Sequence, residues 1–112
     1  VTVIGCGVIG LTTGIRLLQA GHAVTIVARD LPPATTSDVA AAVWFPYQAF
    51  PLDRVLTWSR TSLDVYYAEA ADPASGVRLA TFIDLFDAPA PDPWWRGAVR
   101  RFWRPAPGEG RV

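Results

Sequence analysis

Length, composition and charge exclude several classes of protein. The chain has 112 residues, of which 51% are hydrophobic and 18% are charged, so it is long enough for one hydrophobic core and too short for two ordinary domains. Ten basic residues balance ten acidic ones, which removes any overall field that would draw the chain to nucleic acid or to an anionic membrane.

The first half of the chain predicts a β-α-β unit. Val1 to Ile4 is a short β-branched run, and the apolar spacing from Ile9 to Ala20 indicates a helix. Gly21 supplies the left-handed conformation that often ends a helix, and Ala23 to Ala28 predicts a buried strand. Two strands joined through a helix are expected to be parallel, which places the chain in the α/β class.

The second half is less regular. Leu31 to Pro51 is rich in proline and small residues, and we expect a helical turn within Ala40 to Ala42. Apolar residues at three- and four-residue steps predict a helix from Leu52 to Ala71. The alternation from Val77 to Leu85 predicts a strand, and Trp94 to Phe102 is long enough for a short helix after the prolines.

A glycine pattern identifies a candidate nucleotide site. Gly5-Cys6-Gly7-Val8-Ile9-Gly10 matches G-x-G-x-x-G at the point where the first strand turns into the first helix. Gly5 permits the tight turn, Gly7 allows a pyrophosphate to approach the backbone, and Gly10 lets the helix pack closely on the strand. The amide groups and the positive dipole end of that helix would face the phosphates.

The residues after the second strand bear on which dinucleotide binds. Asp30 lies about twenty positions beyond the glycine pattern, where an acidic residue accepts hydrogen bonds from a ribose. Arg29 precedes it, and an arginine there also suits the 2′-phosphate of NADP. From these residues alone FAD, NAD and NADP all remain open.

The sequence gives little support for a metal site or for catalysis by a thiol. The chain has one cysteine and one histidine, which are too few for a zinc site, and nothing in the sequence brings the two together as a Cys-His pair. We interpret Cys6 as a small buried residue and His22 as a solvated neighbour of a helix end. The opening apolar run is too short for a signal peptide or a membrane span, and we expect a cytoplasmic protein.

Three separated segments resemble the D-amino-acid oxidase family. The most specific is the third, in which Thr-Thr-Ser-Asp-Val-Ala-Ala is followed by Trp-x-Pro-Tyr. The segments are Val3 to Leu11, Ala28 to Pro32 and Thr35 to Tyr47, and the more weakly similar Asp92-Pro93-Trp94-Trp95 adds to them.

The resemblance implies FAD as the cofactor and a role for each matching residue. Gly5, Cys6, Gly7, Val8, Ile9 and Gly10 would hold the diphosphate, and Arg29 and Asp30 the adenosine side. Thr35, Thr36 and Ser37 would donate hydroxyls towards the diphosphate and ribityl chain. Ala41, Ala42 and Val43 would bring backbone groups to the flavin. The chain departs from animal members, which carry glycine in place of Ala42, and Phe45 replaces a polar residue found in some members.

The resemblance also implies an activity. Members oxidise D-amino acids to 2-oxo acids, ammonia and hydrogen peroxide, with oxygen as the second substrate. The resemblance also implies a homodimer for the full-length protein. The alternatives are a glycine oxidase or other amine oxidase, a D-aspartate oxidase, and a truncated nucleotide-binding module without turnover.

The resemblance further sets the expected organisation of the chain. Residues 1–72 would form a Rossmann-like FAD-binding unit with its following helix, and residues 73–112 the start of a truncated substrate domain. The family's catalytic residues lie in later segments, so no residue of this chain is predicted to be catalytic. We therefore expect the 112 residues alone to be inactive.

Overall fold

A computed structural model describes residues 1–40, 42–46 and 49–105 of the chain. The chain forms two compact units, Val1–Val43 and Trp44–Val112, which are described separately. The domain boundary predicted after residue 72 stays a prediction, because a compact unit of a chain is not necessarily a domain of the protein. The regular elements are β1 (Thr2–Ile4), α1 (Val8–Gln19), β2 (Thr25–Val27), α2 (Thr36–Val39) and α3 (Leu52–Glu69), with 3₁₀ helices at Pro73–Ser75 and Trp94–Ala98.

The first unit contains the predicted β-α-β arrangement. β1 and β2 pair in parallel with Val3 opposite Ile26, and α1 connects them. Gly21 has φ +83° directly after α1, as the helix-end prediction requires. The expected α/β class with parallel strands is therefore confirmed, although each strand is shorter than the apolar run that predicted it.

Two glycines bring α1 against the sheet. Gly10 and Gly14 are the buried residues of the helix. A Cβ atom built on Gly14 would lie 3.3 Å from the Cδ1 atom of Ile26, and one built on Gly10 would lie 3.7 Å from the Cγ1 atom of Val3. The helix therefore covers the face of the sheet that carries Val3 and Ile26.

The prediction of a buried second strand is wrong. Only Ile26 is partly covered in β2, while Thr25 and Val27 are exposed, and β1 shows the same pattern with Ile4 88% exposed. A parallel sheet is ordinarily covered on both faces. In this unit α1 packs on one face, and the alternate side chains of the strands remain exposed.

The second unit is held by contacts between α3 and the 3₁₀ helix Trp94–Ala98. Val55 of α3 and Ala98 are buried, and the Nε atom of Arg60 donates to the carbonyl oxygen of Gly97 at 2.7 Å. Tilted and edge-to-face contacts between rings form a small aromatic cluster. The ring centroid of Phe45 lies 5.1 Å from that of Phe82 and 5.2 Å from that of Trp95. The rings of Phe45 and Phe82 remain partly exposed, so the cluster covers only part of their apolar surface.

Three predictions for the irregular parts need correction. Val77 to Leu85 forms no strand, because a strand requires hydrogen bonds to a neighbouring strand and no described residue supplies them. The helical turn expected within Ala40 to Ala42 lies earlier, at α2, and Ala40 is extended with ψ 142°. The short helix expected from Trp94 to Phe102 is a 3₁₀ helix that ends at Ala98.

We expect Arg100→Ala to lower the free energy of unfolding by about 1 kcal/mol, since its guanidinium contacts both an acid and a ring. The Nη2 atom lies 2.6 Å from Asp64, and the Cζ atom lies 4.0 Å from the ring centroid of Tyr67. Both charged side chains are more than half exposed, which keeps the effect small. Arg101→Ala is the control, because Arg101 forms no ion pair with any described residue. Urea titration of both variants measures the difference, and equal midpoints would contradict the prediction.

Two findings apply to the described part of the chain. None of its helices is both long and apolar enough to cross a membrane. It also brings together no group of three or more histidine, cysteine, aspartate or glutamate side chains that would hold a metal ion.

Candidate nucleotide-binding site

The glycine turn joins the end of β1 to the start of α1. Gly5 has φ +103°, a conformation that favours glycine, and its N-H donates to the carbonyl oxygen of Val27 at 2.8 Å. Gly7 is the N-cap of α1, and Leu11 donates its N-H to the carbonyl oxygen of Gly7 at 3.0 Å. The turn is therefore hydrogen-bonded to the end of β2 through Gly5, and it leads into the first turn of α1 through Gly7.

Gly10 lies against backbone, whereas Gly7 lies beside a side chain. A Cβ atom on Gly10 would lie 2.1 Å from the carbonyl oxygen of Gly5, which leaves no room for any side chain. A Cβ atom on Gly7 would lie 2.8 Å from the Oγ atom of Ser37. Gly7 has φ −81°, so its requirement for glycine comes from space and not from backbone conformation.

Ser37 is the residue of the later segment that reaches the turn. Its Oγ atom accepts a hydrogen bond from the N-H of Val8 at 3.0 Å, across 29 positions of the chain. Val8 is the first residue of α1, and its N-H is one of the groups at a helix N-terminus that lack an intrahelical partner. Ser37 therefore lies at the positive end of α1, which carries no acidic side chain in its first turn.

Thr35 and Asp38 form a local pair around α2. Thr35 is only 8% exposed, and both its N-H and its hydroxyl donate to the Oδ2 atom of Asp38, at 2.9 and 2.6 Å. This reciprocal arrangement resembles a capping box, with Asp38 at the third helical position. The sequence predicts that the Thr35 hydroxyl donates towards the diphosphate. Here its proton is directed to Asp38, and that role stays a prediction.

Two cavities meet at Gly7, Val8 and Ser37. The larger has a volume of about 420 Å³ and extends along the end of β1, and the smaller has a volume of about 230 Å³ and extends towards Thr35 and Asp38. The larger is lined by Val3, Ile4, Gly5, Gly7, Val8, Ile9, Gly10, Thr13 and Ser37. The smaller is lined by Cys6, Gly7, Val8, Leu11, Thr12, Pro32, Thr35, Ser37 and Asp38. The predicted phosphate residues Gly5 to Gly10 all border one cavity or both.

Arg29 and Asp30 follow β2 at the same edge of the sheet as the glycine turn, because the carboxyl ends of parallel strands lie together. The guanidinium of Arg29 pairs with the Asp30 carboxylate, with Nε to Oδ2 at 2.8 Å and Nη2 to Oδ2 at 2.7 Å. The Arg29 side chain is 92% exposed and that of Asp30 is 41% exposed. Both side chains therefore remain accessible to an adenosine, and their contact with one stays a prediction.

The remaining predicted residues differ in how the structure places them. Thr36 is exposed on α2, and Ala42 and Val43 are exposed and belong to no regular element. Ala41 lies outside the described residues. The structure brings Ser37 to the glycine turn, and it gives no contact between the turn and Thr36, Ala42 or Val43.

Sequence reasoning missed one residue of this site and gave Asp38 a structural capping role as an alternative to a cofactor contact. Thr13 lines the larger cavity one turn into α1, and no motif marks it. The structural pairing of Thr35 with Asp38 has a sequence signal, since a threonine followed three positions later by an acid is the pattern of a capping box.

Comparison with known proteins assigns almost the whole chain to one protein family. Residues 1–109 match the family described as FAD dependent oxidoreductase. The chain belongs to this family. FAD is therefore the cofactor of the family to which the chain belongs, in place of the NAD and NADP alternatives that the residues left open.

The curated relatives of the chain carry the names of two oxidases. A D-amino-acid oxidase of Rubrobacter xylanophilus is 50% identical over 103 residues, covering 91% of this chain and 32% of the relative. A D-amino-acid oxidase of Dictyostelium discoideum is 43% identical over 106 residues, covering 91% and 31%. A human D-aspartate oxidase is 32% identical over 113 residues, covering 91% and 33%.

The chain thus spans about a third of the length of these curated relatives. No solved structure matches it significantly.

The described residues fit the diphosphate part of FAD. A phosphate needs close backbone approach, hydrogen-bond donors and the absence of competing negative charge. Gly7 provides the approach, the N-terminus of α1 provides N-H groups, and no acidic side chain occupies the first turn of that helix.

Proposed function

We propose that the whole protein is an FAD-dependent oxidase that converts D-amino acids to 2-oxo acids, ammonia and hydrogen peroxide. In this proposal the present chain supplies the diphosphate and adenosine part of a Rossmann-like FAD site. The observation that carries it is the open N-terminus of α1, with Gly7 against the Ser37 hydroxyl and an adjoining cavity of about 420 Å³. The D-amino-acid specificity is supported by the names of the relatives at 43–50% identity.

The residues of this chain would contribute binding and orientation. Backbone N-H groups at the start of α1 and the hydroxyl of Ser37 would hold the diphosphate, and Asp30 would accept from ribose hydroxyls. Backbone groups near Ala42 and Val43 would approach the ring system. When bound, FAD supplies the acceptance of two electrons from the substrate and their transfer to oxygen.

A D-aspartate oxidase is the second candidate, because a more distant relative of the chain carries that name. The human D-aspartate oxidase is 32% identical over essentially the same span as the D-amino-acid oxidases. The FAD-binding part is common to both candidates, so the distinction depends on the substrate side chain that the whole protein accepts. Glycine and other amines are tested in the same assay.

The whole protein is expected to be yellow as purified and to release FAD, not NADP, on heating. Chromatography of the supernatant identifies the nucleotide. Incubation with D-alanine is expected to yield hydrogen peroxide in a peroxidase-coupled assay, and L-alanine serves as the matched control. Release of NADP, or equal peroxide from the two enantiomers, would contradict the proposal.

Parallel reactions with D-aspartate and glycine separate the candidate activities by their kcat/KM values. The present 112 residues with excess FAD form a further arm, in which we expect no peroxide above the background of free flavin. The homodimer and the cytoplasmic location expected from the sequence are part of the proposal. Sedimentation of the whole protein tests the first, and cell fractionation tests the second.

A further inference from the structure

We propose that Asp38 is a positioning residue of the FAD site, which acts by holding Ser37 at the N-terminus of α1. The inference deepens the proposed function and rests on it. It assigns to Asp38 no contact with the cofactor. Instead, its carboxylate closes the turn that carries Ser37.

One carboxylate oxygen reinforces this turn, which the backbone also closes by a bond from the Asp38 N-H to the Thr35 carbonyl oxygen at 3.0 Å. The Oδ2 atom of Asp38 accepts from the Thr35 N-H at 2.9 Å and from the Thr35 hydroxyl at 2.6 Å. Thr35 is the buried polar residue of the described chain and Asp38 is exposed, so these bonds are shielded from water on the Thr35 side only. Ser37 lies between the two partners in sequence, and its position follows from theirs.

Ser37 is also the point at which this segment reaches the glycine turn. Among the described residues, the bond from the Val8 N-H to the Ser37 Oγ atom is the one hydrogen bond that joins residues 31–40 to residues 5–10. A four-residue helix is too short to be stable through its own backbone bonds. The Thr35–Asp38 pair therefore supplies the local order on which the Ser37 contact depends.

The direction of the hydrogen bonds matches a phosphate. Because the Ser37 oxygen accepts from Val8, its own proton is available to donate. Phosphate oxygens are acceptors, so a serine held in this orientation extends the donor set at the start of α1. An ionised carboxylate only accepts, and its charge repels phosphate, so Asp38 fits a role one step removed from the ligand.

The test measures the FAD dissociation constant of the whole protein, prepared without flavin, from the quenching of flavin fluorescence. Asp38→Ala is expected to weaken FAD binding about tenfold, the scale of one impaired hydrogen bond to a charged group. Asp38→Asn keeps an oxygen that accepts from Thr35 and is expected to bind FAD within about twofold of the parent protein. An asparagine variant as weak as the alanine variant would overturn the proposal, because charge and not position would then matter.

A double-mutant cycle separates positioning from a general effect on folding. If Asp38 acts through Ser37, Ser37→Ala combined with Asp38→Ala should bind FAD as Ser37→Ala alone does. Multiplicative losses in the double variant would overturn the proposal, as would an Asp38→Ala variant that binds like the parent protein.

Variants of Thr35 keep the test decisive if Asp38→Ala does not fold. Thr35→Val removes the hydroxyl and retains the N-H bond, and is expected to weaken FAD binding about threefold. Thr35→Ser restores the hydroxyl and should restore binding, whereas equal constants for the two variants would overturn the proposal. A parent protein that binds no FAD at all would contradict the proposed function itself, which distinguishes the two failures.

Discussion

Gly10→Ala is expected to prevent the β1–α1 turn from forming. The added Cβ atom would lie 2.1 Å from the carbonyl oxygen and 2.9 Å from the carbonyl carbon of Gly5. Both are backbone atoms of a turn fixed by φ +103° and by the bond from Gly5 to Val27, so neither moves without separating α1 from the sheet. We expect a loss well above the roughly 1–3 kcal/mol typical of an overpacked core.

The measurement is the thermal midpoint and the soluble yield of the whole protein, followed by its flavin content. Gly14→Ala is the matched control on the same face of α1. Its Cβ atom would lie 3.3 Å from the Cδ1 atom of Ile26, the flexible end of a side chain that can move slightly. Alanine also favours a helix over glycine by about 1 kcal/mol, which offsets the crowding. Similar midpoints for the two variants would contradict the close packing described for Gly10.

Gly7→Val is expected to abolish FAD binding while leaving the protein folded. The first added atom would lie 2.8 Å from the Ser37 Oγ atom, and the two methyl groups of valine would extend into the space beside it. Gly7 has φ −81°, which valine adopts without strain, so the damage is confined to the cavity and to the Ser37 contact. We expect a loss of at least about a hundredfold in FAD affinity, since the close approach of the diphosphate is blocked.

Flavin fluorescence quenching measures the affinity, and circular dichroism confirms the fold. Gly97→Ala is a control for replacing a glycine that lies beside the flexible end of one side chain, since its Cβ atom would lie 3.1 Å from the Nη2 atom of Arg60. It lies in the second unit and borders neither cavity. Undiminished flavin binding by Gly7→Val would show that the diphosphate lies elsewhere.

Local signals in the sequence predicted the elements that local geometry determines. The tight turn at Gly5, the left-handed conformation of Gly21, the helix after the glycine turn and the long helix α3 all appear where the pattern placed them. Each depends on residues within one or two turns of the chain. The contact between Ser37 and Val8 joins residues 29 positions apart, and no spacing rule specifies it.

The predicted strand at Val77 to Leu85 shows the opposite case. Its alternation of apolar residues is real, and Leu79, Ile83 and Leu85 are exposed large hydrophobic side chains. Alternation reports which side chains prefer to be covered, whereas strand formation depends on a partner that supplies hydrogen bonds. The sequence pattern therefore predicts which side chains of the segment prefer burial. It does not identify a neighbouring strand with which the segment could pair.

The contact between Gly10 and Gly5 restricts which substitutions this turn can accept during evolution. Every other amino acid carries a Cβ atom, so any missense mutation at codon 10 meets the same backbone oxygen 2.1 Å away. At position 7 the obstacle is a serine hydroxyl, and a prior change at position 37 removes it. Position 10 is thus expected to be fixed in every genetic background, whereas at position 7 a change of residue 37 relieves the steric contact but not the block to the diphosphate. Saturation mutagenesis of both glycine codons, in the parent protein and in the Ser37→Ala variant, is expected to raise the abundance of folded protein at codon 7 alone and to restore FAD binding at neither codon.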